Sequence, residues 1–241
     1  MNIAKTSQYK MIALVVGLLY LAGFVVGIGG NVLVLSAVGA PDYLAKISAK
    51  SIPVAIGAVL WLLAVAGDAG HGVVMFPILK RTSERLALGY LAARIVDAIF
   101  IAIMVIFILL QVPLGAAFLK ADAQSVQSLQ MLGSLLSAAQ HVAYVIGMCA
   151  LGVSGLLLCA ALLRARLVPS WLAVWGLFGY AIILLGMLSE ILGSGLGDVS
   201  SLPGGLWEVF MGVWLIVKGF SSAADTPATA GPGVPAASAA A

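Results

Sequence analysis

Residues 66–72 read Ala66-Gly67-Asp68-Ala69-Gly70-His71-Gly72, and residues 93–97 read Ala93-Arg94-Ile95-Val96-Asp97. Each stretch lies inside an apolar run, Pro53 to Leu79 for the first and Leu86 to Leu110 for the second. A helix rises about 1.5 Å per residue, so each run can cross the roughly 30 Å hydrocarbon core of a bilayer. Only the charged turn Lys80-Arg81-Thr82-Ser83-Glu84-Arg85 separates them. The two runs therefore read as an antiparallel hairpin of membrane helices.

The rest of the chain repeats the pattern. Of 241 residues, 63% are hydrophobic and 9% are charged, where a soluble domain carries about 25% charged residues. Lipid has to be the solvent for that much apolar surface, and the bilayer is the first partner implied. The formal net charge of +3 comes from basic residues in short loops, where they report orientation. No nucleic-acid partner is expected. Cys149 and Cys159 stand about 15 Å apart along one predicted helix, too far to pair.

Six spans are predicted: about Met11–Gly30, which can continue to Val38, then Pro53–Leu79, Leu86–Leu110, Ala138–Leu163, Val168–Leu192 and Leu206–Phe220. The first apolar run exceeds the 7–15 residues of a signal-peptide core, so it reads as a span. Gly39-Ala40-Pro41-Asp42 should break the chain after it. The third helix can project to Phe118 with a kink at Pro113. A glycine-rich loop is expected from Gly193 to Gly205. Trp171 and Trp207 are expected at membrane interfaces. Residues 1–220 form the membrane domain. Residues 221–241, rich in Ala, Pro and Gly, read as a disordered tail. The class is an all-α, polytopic bundle.

Lys5, Lys10, Lys80, Arg81, Arg85, Arg164, Arg166 and Lys218 fall on one side of this topology, and Lys46, Lys50 and Lys120 on the other. Eight against three puts both termini in the cytoplasm.

The remaining basic residue is Arg94, within the membrane. Counting from the charged turn, Asp68 lies about 16 Å deep, His71 about 12 Å, Arg94 about 13 Å and Asp97 about 18 Å. Depth pairs His71 with Arg94 and Asp68 with Asp97. Within each helix the two residues are three apart and share a face. Each isolated charge at a helix centre costs about 2.5–3.5 kcal/mol, so Arg94 is expected to bridge both aspartates. With His71 neutral and both aspartates ionised the set carries −1, and one proton neutralises it.

Three readings remain open. The cluster can bind a small ligand or a proton, in a transporter-like or sensor-like protein, as intramembrane ionisable groups commonly do. It can instead lock two helices in register within a structural or accessory subunit. An intramembrane metal-dependent hydrolase is the third. Against it, no H-E-x-x-H or C-x-x-C is present and the histidines sit at different depths, so no metal or cofactor is expected. The nearby Ala66, Gly67, Ala69, Gly70 and Gly72 read first as residues for close helix packing. Glu208 joins the candidate set if it lies at mid-depth, and stands at the outer interface otherwise. Gln140, His141 and Tyr144 end a polar stripe that begins at Gln127, Gln130, Ser134 and Ser137. They are secondary candidates. His141 and Glu190 are assigned to the outer side. A second copy of the chain or another membrane protein stays open as a partner.

Several pieces occur in a fixed order: Phe76-Pro77-Ile78-Leu79-Lys80, Leu86-Ala87-Leu88-Gly89-Tyr90 with Arg94-Ile95-Val96-Asp97, Gln140 with Tyr144, Arg166-Leu167-Val168-Pro169-Ser170-Trp171-Leu172 with Trp175-Gly176, and Glu208 with Trp214-Leu215-Ile216-Val217-Lys218-Gly219-Phe220. Together they resemble a bacterial family of multi-pass membrane proteins defined by a domain of unknown function, DUF4386. The resemblance covers nearly everything but the tail. It implies a bacterial cytoplasmic (inner) membrane location and supplies no activity.

Overall fold

The computed structural model describes residues 3–39 and 42–221, with side chains from residue 9 onward. The predicted tail from residue 222, and Ala40 and Pro41 of the predicted break, lie outside the described residues.

Among the described residues every regular element is helical: α1 (Ile3–Val38), α2 (Tyr43–Ile47), a 3-10 turn (Ser48–Lys50), α3 (Ser51–Leu79), α4 (Glu84–Phe118), α5 (Val126–Ala165), α6 (Ser170–Ile191) and α7 (Gly197–Val217). Six of these helices are long and apolar enough to cross a membrane. The reason is physical. A chain in hydrocarbon must satisfy each backbone N–H and C=O internally, and a helix does so within one segment.

Each long helix packs on its neighbours in the chain, and α7 returns to pack on α1. The six spans thus close a ring. The start of α1 and the end of α7 reach the same face, together with the α3–α4 and α5–α6 turns. There Arg81 Nη1 donates to Tyr9 Oη at 2.8 Å, and Ser221 N donates to Leu167 O at 2.8 Å. We call this the near face. The short α2 lies at the far face against α4, where the Gly115 position abuts Ile47 and Leu44.

The packing is uneven along the ring axis. The larger core cluster joins Val16, Leu79, Ala87, Leu162, Leu172 and Leu215, from the near-face ends of all six spans. The second cluster, with Val34, Ile47, Val54 and Ile108, sits at the far-face ends of α1, α3 and α4. It covers one side of the ring only.

Two local expectations change. The predicted loop at 193–205 is short: α6 ends at Ile191, Gly193 (φ 85°) and Gly195 (φ 70°) turn the chain, and α7 begins at Gly197. Within the stretch Gly204 is a packing site, since a Cβ at Gly179 would come within 3.0 Å of the Gly204 backbone. The earlier start moves Trp207 from an interface into the core, fully buried with Nε1 donating to Leu172 O at 2.7 Å. Trp171 stays on the surface. As expected, α4 runs on to Phe118, with Pro113 inside it. Likewise α5 is one helix that includes the whole polar stripe.

Candidate functional site

The ring encloses a cavity of about 680 Å³ walled by α1, α3, α4, α5 and α7. Asp68, His71, Arg94, Asp97 and Glu208 all line it, as do Gln140, His141 and Tyr144. The cavity lies toward the far face, above the large near-face core.

Arg94 sits between two carboxylates. Its Nη2 is 3.0 Å from Asp68 Oδ1, and its Nη1 is 3.4 Å from Asp97 Oδ2. The first contact joins α4 to α3. The second lies within α4, at spacing i, i+3. Their surroundings differ. The Asp97 side chain is 3% exposed, whereas that of Asp68 is 30% exposed. Asp68 is therefore the carboxylate a cavity occupant can reach.

His71 does not pair with Arg94. Its Nδ1 shares a hydrogen bond with Tyr90 Oη, one helical turn before Arg94 on α4. That leaves His71 Nε2 and Arg94 Nε as buried polar atoms without a hydrogen-bond partner. Such groups are costly to leave unmet, and both atoms are sealed from the cavity space.

Beneath the cavity an aromatic layer crosses the ring. The Tyr20 ring packs edge-on against His71 at 4.4 Å between centroids and faces Trp207 at 6.1 Å, and Trp207 meets Tyr180 at 5.4 Å. Tyr180 Oη donates to Glu208 Oε1 at 2.6 Å. This settles the two placements left open for Glu208: it is half-buried at mid-ring, held by α6, and away from the far-face rim. None of Tyr20, Tyr90, Tyr180 and Trp207 was assigned to the site from the sequence, Trp207 having been expected at an interface. Tyr90 had a usable signal, standing four residues before Arg94 on the same helix face. Tyr20 and Tyr180 are isolated aromatics in apolar runs and carry none.

The polar stripe of α5 divides. Gln111, fully buried on α4, donates from Nε2 to Gln140 Oε1 at 2.9 Å and accepts from Ser137 Oγ at 3.3 Å. Gln127 and Gln130 are exposed. His141 Nε2 is 3.3 Å from Glu190 Oε1, and Glu190 Oε2 accepts from Gly197 N at 3.0 Å. These groups form the far-face rim. His141 and Glu190 thus stand at the far face, and His141 belongs to the same cavity as the central cluster.

The glycines also divide. A Cβ at Gly72 would come within 3.0 Å of Leu91, which is close helix packing. At Gly67 and Gly70 it would meet nothing within 4 Å. Two of the three glycines near the cluster therefore leave space instead of bringing helices together.

Outside the spans, Asp42 accepts from Lys46 at 2.7 Å, which holds its carboxyl below the usual range. Among the described residues no three His, Cys, Asp or Glu side chains converge in a metal-binding arrangement.

A family model described as a domain of unknown function, DUF4386, matches residues 15–219. The chain belongs to the DUF4386 family. That match takes in all six spans and every cavity residue named above. No curated protein and no solved structure matches the chain.

Proposed function

We propose that this DUF4386 protein binds a small ligand or a proton in the ring cavity, at the set formed by Asp68, His71, Arg94 and Asp97, in a transporter-like or sensor-like role. One observation carries the reading. A cavity of about 680 Å³ reaches an ion set whose outer carboxylate is 30% exposed. The basic-residue asymmetry supports a cytoplasmic near face, and the family resemblance supports a bacterial inner membrane; the cavity would then open away from the cytoplasm.

The test is carboxyl labelling with dicyclohexylcarbodiimide, an apolar reagent for protonated acids, on protein in nanodiscs. Mass mapping should find adduct on the peptide containing Asp68. Asp68→Asn should abolish it. An Asp68 peptide that stays unlabelled would overturn the proposal.

A helix lock is the second reading, and the 3.0 Å contact between Asp68 and Arg94 favours it, since it joins α3 to α4. The Arg94–Asp97 contact lies within one helix and cannot serve that purpose.

A further inference from the structure

We infer that the cavity takes a lipophilic monocation, a protonated amine or quaternary onium with an apolar body, and that Asp68 is its counter-ion. This rests on the cavity being a binding site, and adds the charge and chemical class of the occupant.

The cavity lining holds four carboxylates, Asp68, Asp97, Asp198 and Glu208, against one guanidinium, Arg94. With all four acids ionised and both histidines neutral that is a formal −3, and each acid that takes up a proton lowers it by one. Arg94 is already engaged by two of the acids, so no free cation awaits an anionic guest. Uncompensated negative charge in a low-dielectric enclosure is what a cation relieves. Asp198 stands exposed at the rim and Asp68 is the reachable acid inside, so negative charge runs along the entry route.

The walls supply the second half of the match. Tyr20, Phe24, Trp61 and Tyr144 line the cavity with Leu19 and Met104. Aromatic faces attract cations, more strongly where water is excluded. The buried His71 imidazole, 1% exposed, lines the same space. Gly23, Gly27 and Gly67 also line the cavity with nothing within 4 Å of where a Cβ would stand, which leaves width for a bulky body.

The experiment uses two ions of matched shape and opposite charge. Full-length protein in phosphatidylcholine nanodiscs is dialysed against radiolabelled tetraphenylphosphonium or tetraphenylborate, with empty nanodiscs subtracted. Saturable binding of the phosphonium at one per protein is expected, with tetraphenylborate failing to compete. Asp68→Asn should weaken binding about ten- to a hundredfold, the loss of one charge-assisted contact. Asp198→Asn, a change at an exposed position that does not threaten folding, should weaken it about two- to fivefold through lost steering.

Preferential binding of tetraphenylborate would overturn the cation assignment while leaving a ligand cavity in place. Carbodiimide labelling of Asp68 without phosphonium binding would also overturn it, and leave a proton site. Phosphonium binding unchanged in both variants would place the ion in lipid and refute the inference. Absence of both labelling and binding would refute the parent reading with it.

Discussion

Removing Arg94 should destabilise the protein more than removing Asp68, and removing both should be milder than the two losses summed. At 3.0 Å and an effective dielectric near 20, the gross attraction of the pair is about 5–6 kcal/mol. Asp68 keeps 30% of its side chain exposed, and a chain unfolded within the membrane finds other partners. Both reduce the net contribution to about 1–2 kcal/mol. That is the expected cost of Asp68→Asn. Arg94→Gln strands two carboxylates, one of them 3% exposed, and should cost about 3–5 kcal/mol. In Arg94→Gln with Asp68→Asn one stranded charge is gone, so about 1–2 kcal/mol should be recovered. Cys159 supplies the assay. Its thiol is fully buried, so reaction with a maleimide during a denaturing-detergent titration reports opening. Each 1.4 kcal/mol moves the opening equilibrium about tenfold. A Cys149→Ser background removes the other thiol. Strict additivity of the two substitutions, or equal costs for each, would refute the electrostatic account and leave only packing.

Gly155→Ala would put a methyl into the Tyr180 ring, and should cost about 1–3 kcal/mol by Cys159 labelling, whereas Gly67→Ala, with nothing within 4 Å, should stay within about 0.5 kcal/mol. Trp207→Phe gives up the 2.7 Å bond to Leu172 O and should cost about 0.5–1.5 kcal/mol in the same assay. Hydrogen bonds from Ser125 hold the Asp122 carboxyl below its ordinary range. Its support of the α5 start is therefore complete above about pH 4 and is lost as pH falls through the lowered folded value. Amide exchange in the first turn of α5 should quicken only in acid, and Asp122→Asn should remove that dependence.

The spans were legible because composition and length leave little choice in lipid. So was the position of Arg94 between two acids, because residues three apart share a helix face and the short Lys80–Arg85 turn fixes the partner helix. The ring was not legible. Nothing local to α1 or α7 announces that the two helices close on each other, since their contact is made by Tyr20, Gly17 and Gly212 in otherwise ordinary apolar runs. The Gly193–Gly205 stretch misled because glycine and proline signal loops in water. In a membrane bundle the same residues permit close backbone contact, as at Gly179 and Gly204. Gln111 escaped notice for a related reason: a single amide in an apolar run gains meaning only from Gln140 opposite it.

The uneven packing along the ring has an electrical consequence. One half is filled by a continuous apolar core under a Tyr20–His71–Trp207 layer, and the other half is hollow with a polar rim. A membrane voltage falls mainly across whatever insulates, and here that is the filled half. A charge settling beside Asp68 from the rim would cross only a small part of the drop. A charge passing onward beneath the aromatic layer would cross most of it, at about 2.3 kcal/mol per elementary charge per 100 mV. Voltage would then act on passage through the floor far more than on occupancy above it.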